Sequence, residues 1–256
     1  MRALAILSLA LLAGCAGSAA VPPVATAPEP PDAQQLYLTA LKNAAIPEQA
    51  EVYSGLLALT RSTPGLVWDS EGPNARVKVA SFMNEAAFQR YYAADPPART
   101  APASWGTVWV TPVPQLQAFC KAVPGDTTAK VSRVKQWLGL RPEAAYDRVV
   151  ELWIKPSDLA RPCPDTEVTD GSCSVDTGMP PAGADPAYTA WYNGNFRGSY
   201  QANGYPWTRL GYTYDWAPAT DRLNPVRPVG GSEYIMRPKA SYGIAGRYTV
   251  AQYCGG

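Results

Sequence analysis

The spacing of apolar and polar residues predicts two helices at the start of the globular part of the chain. Asp32 precedes apolar positions at helical spacing, and Gln35 follows three residues later, as in a capping box. Proline is favoured at the first position of a helix, so Pro47 predicts a second helix that runs to about Thr60. Together the two segments predict a helical hairpin.

The middle of the chain alternates strand patterns with helical patterns. Strands are predicted over residues 76–82, 107–111 and 148–154, and helices over 84–92, 113–123 and 127–138. Asn84 is a favoured N-cap residue, and Gly139 stands where a left-handed residue often ends a helix.

The later part of the chain is richer in loops. Residues 162–184 are rich in Pro, Gly and Asp, and Asp185-Pro186 predicts the start of a helix. A strand is predicted over Ser232–Met236, and Tyr248–Tyr253 is predicted as a strand or a short terminal helix. We therefore expect an α+β fold. Its N-terminal half should be helical and packed on a small, mainly antiparallel sheet, and its C-terminal half loop-rich and held by disulfides.

The first residues have the layout of a secretory signal. Arg2 precedes a predominantly apolar run over residues 3–12, which is too short to span a bilayer, since about 20 residues are needed. Leu12-Ala13-Gly14-Cys15 resembles the lipobox of bacterial lipoproteins. That resemblance implies cleavage before Cys15 and acylation of its side chain and amine. An ordinary signal peptide cleaved within residues 16–20 is the alternative.

The resemblance also implies a location and a domain organisation. Ala16 stands where an inner-membrane retention signal would usually have Asp, so we expect a lipid anchor in the outer membrane of the bacterial cell envelope, with the face of that membrane left open. Residues 1–14 would be the signal peptide, and the Ala/Pro-rich residues 15–31 a tether. Residues 32–256 would form one globular domain, with 32–95 as a candidate helical subdomain.

Four cysteines remain after Cys15, and an even number in an exported protein favours two disulfides. Cys163 and Cys173 bracket a short segment, so we prefer that pair, which leaves Cys120 with Cys254. The other two pairings stay open. A four-thiolate zinc site is the competing interpretation, but the chain has no Cys-x-x-Cys pair. We therefore predict no metal.

Composition excludes several functions. The chain has no histidine, which rules out catalytic triads and zinc sites that depend on it. Lys and Arg number 22 against 21 Asp and Glu, and loss of Arg2 with the signal would leave a neutral chain, so a nucleic-acid partner is not expected. No glycine loop for a nucleotide is present, and we predict no cofactor.

Aromatic and polar residues are densest over residues 191–216. Such mixtures suit sugar or peptide ligands, although a buried aromatic cluster is the simpler structural interpretation. If residues 207–216 form a strand, one face should enter the core while the other lies beside a ligand. The candidate ligand-binding residues are Trp207, Arg209, Asp215 and Trp216.

Two acids are candidates for catalysis. Asp215 and Glu233 could act as an acid and base pair. Gly230-Gly231-Ser232-Glu233-Tyr234, a glycine turn entering a strand, resembles the glutamate-bearing strand of secreted ADP-ribosyltransferases. That resemblance implies a role for Glu233 at the nicotinamide ribose of NAD. As a catalytic acid, Glu233 should face a pocket lined by Trp109, Tyr214 or Trp216.

We favour a non-catalytic, membrane-anchored envelope protein that binds a glycan or a protein partner. The alternative is an ADP-ribosyltransferase-like enzyme in which Glu233 is catalytic.

Overall fold

The computed structural model describes residues 32–95, 99–175 and 178–255. Residues 31–256 cluster into one compact unit. The helices are α1 (Ala33–Ala44), α2 (Glu85–Tyr91), α3 (Val113–Ala122), α4 (Thr127–Trp137), α5 (Pro186–Ser199) and α6 (Val250–Gly255). The strands are β1 (Val77–Asn84), β2 (Arg99–Thr100), β3 (Trp109–Pro112), β4 (Tyr146–Ile154), β5 (Leu159–Ala160), β6 (Tyr212–Tyr214), β7 (Val229–Ser232), β8 (Tyr234–Met236) and β9 (Ser241–Thr249). The tether and Cys15 lie outside the described residues.

A seven-stranded antiparallel sheet organises the fold. Its strand order is β2-β9-β4-β1-β3-β8-β5, while β6 and β7 form a separate two-stranded sheet. Most of the paired residues in this sheet belong to the two long strand pairs β1–β4 and β4–β9. The α+β class and the mainly antiparallel sheet are therefore confirmed.

Alternating residues of the central strands build a core on each face of the sheet. Val150, Leu152 and Ile154 of β4 join one apolar cluster with Val77 and Val79 of β1. On the opposite face, Val149 and Ala80 pack beneath α3, α4 and α6. This period-two burial is what a strand covered on both sides requires.

Local capping chemistry sets the helix starts as the sequence predicts. Asp32 accepts a hydrogen bond from the backbone N–H of Gln35 at 2.7 Å, and Asn84 caps α2 through the N–H of Ala87 at 2.8 Å. Gly139 has a φ of 68° at the end of α4, as expected for a left-handed residue. The strand-then-helix order of β3 and α3 is also confirmed.

The structure does not confirm a helical N-terminal half. The predicted helix from Pro47 to Thr60 is wrong, because only a 3-10 turn at Gln49–Glu51 forms there. The chain then continues without regular secondary structure, and the backbone N–H groups of Leu56 and Leu59 donate to the carbonyls of Gly171 and Val168. Those tertiary hydrogen bonds and the burial of both leucines outweigh the local helix signal. Residues 32–95 also contribute β1 to the middle of the sheet.

The C-terminal segment contains a strand that the sequence pattern does not reveal. Tyr248–Tyr253 divides between the end of β9 and the helix α6, and β9 begins seven residues earlier, at Ser241. Gly243 and Gly246 interrupt its alternation, and its pairing with β4 shifts register between Glu151 and Leu152. A bulged strand with glycines lacks the regular apolar period.

The cysteines lie at disulfide distance in the two preferred pairs. Cys120 and Cys254 join α3 to α6, with their Cα atoms 5.2 Å apart. Cys163 and Cys173 close a ten-residue loop, with Cα atoms 6.5 Å apart. None of the helices in the described ranges is both long enough and apolar enough to cross a membrane.

Candidate functional site

A cleft opens where two neighbouring strands of the sheet separate. β1 and β3 pair only at Val79 with Pro112 and at Ala80 with Thr111. Beyond that point β1 continues beside β4, whereas β3 continues beside β8. The resulting cleft has a volume of about 910 Å³, large enough for a ligand of several rings.

Aromatic and uncharged polar side chains line this cleft together with aliphatic ones. The rings are Phe82, Tyr91, Tyr92, Trp109, Tyr146, Tyr205 and Tyr242. The uncharged polar residues are Ser81, Asn84, Thr100, Thr107, Thr111, Asn203 and Thr213. Tyr91 is 55% exposed, so its ring is available to a ligand.

Glu233 is the buried acid of the cleft. It lies between β7 and β8, where the chain passes from the two-stranded sheet to the seven-stranded sheet. Its backbone N–H donates to the carbonyl of Gly211 at 2.9 Å, and Trp109 and Val110 pair with the two residues that follow it. The side chain is only 8% exposed and lines the cleft.

The Glu233 carboxyl has no hydrogen-bond or ionic partner among the described residues. Burial alone raises its pKa from an ordinary 4.5 to about 8. At neutral pH it is therefore a protonated acid that offers one O–H donor and an acceptor oxygen. The carboxyl borders the cleft, where water or a ligand can satisfy it, and a raised pKa at such a position makes it a candidate functional site.

The remaining ionic groups of the cleft balance each other. Among its described lining residues, Arg141 is the one cation, and its guanidinium lies 3.4 Å from a carboxylate oxygen of Glu143. Both side chains are exposed. With Glu233 protonated, the cleft has no net charge at neutral pH, which suits an uncharged ligand.

The glycines before Glu233 have a different role from the predicted turn. Gly230 and Gly231 lie inside β7 rather than in a turn. A Cβ on Gly230 would come 2.1 Å from the carbonyl oxygen of Trp137, and one on Gly231 would come 2.6 Å from its ring. The two glycines let β7 lie directly against α4, and this packing fixes the chain just before Glu233.

Asp215 does not share the cleft with Glu233. Its side chain is 0% exposed and accepts two hydrogen bonds from the Arg133 guanidinium, at 3.0 and 2.7 Å. The predicted acid pair is therefore not assembled, and Asp215 serves as half of a buried ion pair.

Arg209 is also enclosed by the protein. It is 5% exposed and donates to the Tyr200 hydroxyl and to the carbonyls of Gly178 and Ala45. Its guanidinium lies 4.7 Å from the centre of the Phe196 ring. Arg209 thus connects the ends of α1 and α5, and it holds a positive φ of 58° that few residues other than glycine adopt.

The two tryptophans of the predicted ligand surface are buried as well. The indole N–H of Trp207 donates to the carbonyl of Pro162, and that of Trp216 donates to the carbonyl of Leu140. All three residues of β6 are buried, so neither of its faces is open to solvent. These residues therefore pack the interior and present no open surface to a ligand.

The pocket expected around a catalytic Glu233 is present with a different lining. Trp109 lines it, whereas Tyr214 and Trp216 pack against α1. Tyr91, Asn84 and Tyr146 were missed, because no local pattern distinguishes residues that separate strands and helices bring to one cleft. No group of three or more potential metal ligands occurs within residues 32–95, 99–175 and 178–255.

Comparison with known proteins assigns no family. No protein-family model matches the chain, and no curated protein or solved structure matches it.

We predict that Asp215→Ala and Arg209→Ala destabilise the protein. Asp215→Ala removes one partner of a buried ion pair, which costs about 3 to 5 kcal/mol, similar to the loss of the buried ring in Tyr212→Ala. Arg209→Ala leaves the acceptors of its buried guanidinium unpaired, at a cost on the order of 1 to 3 kcal/mol for each. The losses should appear as lower midpoints of urea unfolding. Asp147→Ala, at an exposed position of β4, is the control and should shift the free energy of unfolding by less than about 0.5 kcal/mol. Stable variants that lose ligand binding would instead restore the ligand-facing hypothesis.

We predict that Glu233→Gln stabilises the protein increasingly as the pH rises. The folded protein holds the Glu233 proton up to about pH 8, whereas the unfolded chain releases it near pH 4.5. Stability linked to this group is therefore complete below pH 4.5 and declines as the pH approaches 8. Between pH 5 and pH 8 the variant should gain about 3 kcal/mol relative to the wild type.

The free energy of unfolding at each pH measures this difference. Glu71→Gln is the matched control, because the Glu71 side chain is 99% exposed and its carboxylate lies 3.9 Å from the Arg61 guanidinium. A difference between Glu233→Gln and the wild type that stays flat with pH would contradict a neutral, buried acid.

Proposed function

We propose that this protein is a lipid-anchored envelope protein that binds a neutral glycan in the cleft at Glu233. The observation that carries the proposal is the buried carboxyl without a partner, which faces a cleft lined by rings and uncharged polar groups. Sugars present flat apolar faces to aromatic rings and hydroxyls to hydrogen-bonding groups. A protonated Glu233 would donate to one hydroxyl and accept from another.

Charge favours a glycan over the NAD alternative. NAD carries a pyrophosphate, which proteins usually neutralise with cations or with a helix N-terminus. Arg141, the one cation among the described lining residues, already pairs with Glu143. The position of Glu233 in a cleft supports the alternative, so NAD turnover with Glu233→Gln as its control belongs in the same set of assays.

The cleft should bind neutral oligosaccharides with micromolar to millimolar affinity. Isothermal titration with β-1,4-linked tetrasaccharides of glucose and of N-acetylglucosamine, together with pull-down on peptidoglycan sacculi, measures this. Tyr91→Ala should weaken binding about 5- to 10-fold, because an exposed ring contributes on the order of 1 kcal/mol by stacking.

Val226→Ala is the control, since Val226 is exposed and is not among the residues that line the cleft. Glycan binding that is equal in Tyr91→Ala and the wild type, or that is absent throughout, would overturn the proposal. Turnover of NAD that Glu233→Gln abolishes would establish the alternative.

The anchor at Cys15 is the part of the proposal that rests on sequence. Wild-type protein should take up a fatty-acid label and partition into detergent, and Cys15→Ser should lose both properties. Cys163→Ser, which keeps Cys15, is the control and should retain the label. A Cys15→Ser protein that is still labelled would contradict lipidation at this residue.

A further inference from the structure

Among the described residues, the cleft has a single carboxyl that is free to transfer a proton. Among the described acids, Asp215 is bound by Arg133, and Glu151 lies 3.4 Å from the Lys78 ammonium. Glu143 lines the cleft, but it is exposed and paired with Arg141. Of the acids in the described ranges, Glu233 alone combines burial, access to the cleft and the lack of a partner.

These surroundings are the ones that a general acid needs. The acid must keep its proton at the working pH and lie against the substrate, away from bulk water. Burial keeps Glu233 protonated at neutral pH, and its carboxyl faces the space that a bound sugar would fill.

Cleavage of a glycosidic bond usually needs a second carboxylate, as nucleophile or as base. The cleft supplies no second buried acid in the part of the chain that the structure describes. A substrate can replace that group with its own acetamido oxygen, as substrate-assisted glycosidases show. A cleft with one such acid therefore favours sugars that carry an acetamido group.

We propose that Glu233 is the general acid in hydrolysis of the glycosidic bond of a β-linked N-acetylhexosamine polymer bound in the cleft. The proposal rests on the proposed glycan binding and adds to it a reaction and a substrate class. An uncharged sugar with an acetamido group fits the neutral cleft and supplies the nucleophile that the protein lacks.

The reaction balances with water as the only co-reactant. Glu233 donates its proton to the glycosidic oxygen, and the bond from that oxygen to C1 breaks. The acetamido oxygen of the same sugar then forms a bond to C1, giving a cyclic oxazolinium ion. Water attacks C1, opens the ring and gives its proton to the Glu233 carboxylate, which restores the acid. The products are two shorter sugars, and the configuration at C1 is retained.

The test measures binding and cleavage separately. The probes are the tetrasaccharide of β-1,4-linked N-acetylglucosamine and the matching glucose tetrasaccharide, which lacks acetamido groups. Mass spectrometry should detect shorter products from the first probe only. Glu233→Gln should lower kcat by about 10²- to 10⁴-fold while the dissociation constant stays within about threefold, because the amide still donates a hydrogen bond.

The pH profile gives a second readout. The wild-type kcat/KM should fall as the pH rises through about 8, where Glu233 loses its proton. Glu71→Gln is the control and should keep both binding and cleavage.

Three outcomes would overturn the inference. Binding of the acetamido sugar without cleavage would leave Glu233 as a binding residue, and the proposed function would stand. Loss of cleavage in Glu143→Gln, with equal cleavage of both tetrasaccharides, would indicate two protein carboxylates instead of substrate assistance. Failure of both sugars to bind would remove the proposed function together with the inference.

Discussion

The contact between Gly230-Gly231 and Trp137 is the constraint on which the site depends. Trp137 ends α4 and stacks on Phe119 with ring centres 4.4 Å apart, so α3 holds it in place. Its carbonyl accepts a hydrogen bond from the Thr213 hydroxyl at 2.6 Å, and that hydroxyl in turn accepts from the N–H of Gly231 at 2.8 Å. β7 is thereby fixed to α4 and β6 by backbone and ring contacts. Glu233 follows two residues later, so its place in the cleft is set by packing around it and needs no bond from its own carboxyl.

The elements that could be predicted from sequence are those whose signals are local. Caps such as Asp32 and Asn84 act within one turn of their helix, and the apolar run at the end of β4 predicts a buried strand. The segment after Pro47 was predicted wrongly because its partners, Val168 and Gly171, are more than a hundred residues away. The disulfide pairs could be inferred from the number and spacing of cysteines. Glu233 could be named as a candidate, but the burial of Arg209 and Asp215 could not, since a charged residue gives no sign of its partner in the sequence.

Burial of Glu233 lowers the stability of the folded state, and other interactions in the protein offset that loss. A buried acid without a partner makes the folded state less stable at neutral pH than an apolar residue would. Closing a loop of 134 residues with Cys120 and Cys254 contributes about 4 to 5 kcal/mol in the chain-entropy model. The pair of Arg133 and Asp215 and the contacts of Arg209 hold the surrounding loops to the helices. An acid held without a partner at the wall of a cleft is typical of a position that is kept for a ligand rather than for stability.

The aromatic residues form two layers with different roles. The inner layer of Trp207, Tyr188 and Tyr192 is buried and ties α5 to the sheet. Trp109 belongs to both layers, because its ring contacts Trp191, Tyr205 and Trp207 within the protein while it also lines the cleft. Tyr205 is similarly held, by hydrogen bonds to the side-chain amide of Asn195, and it also lines the cleft. The structural and ligand-binding interpretations of the aromatic segment are therefore compatible: the buried rings fix the orientation of the rings that a ligand would meet, which reduces the conformational entropy lost on binding.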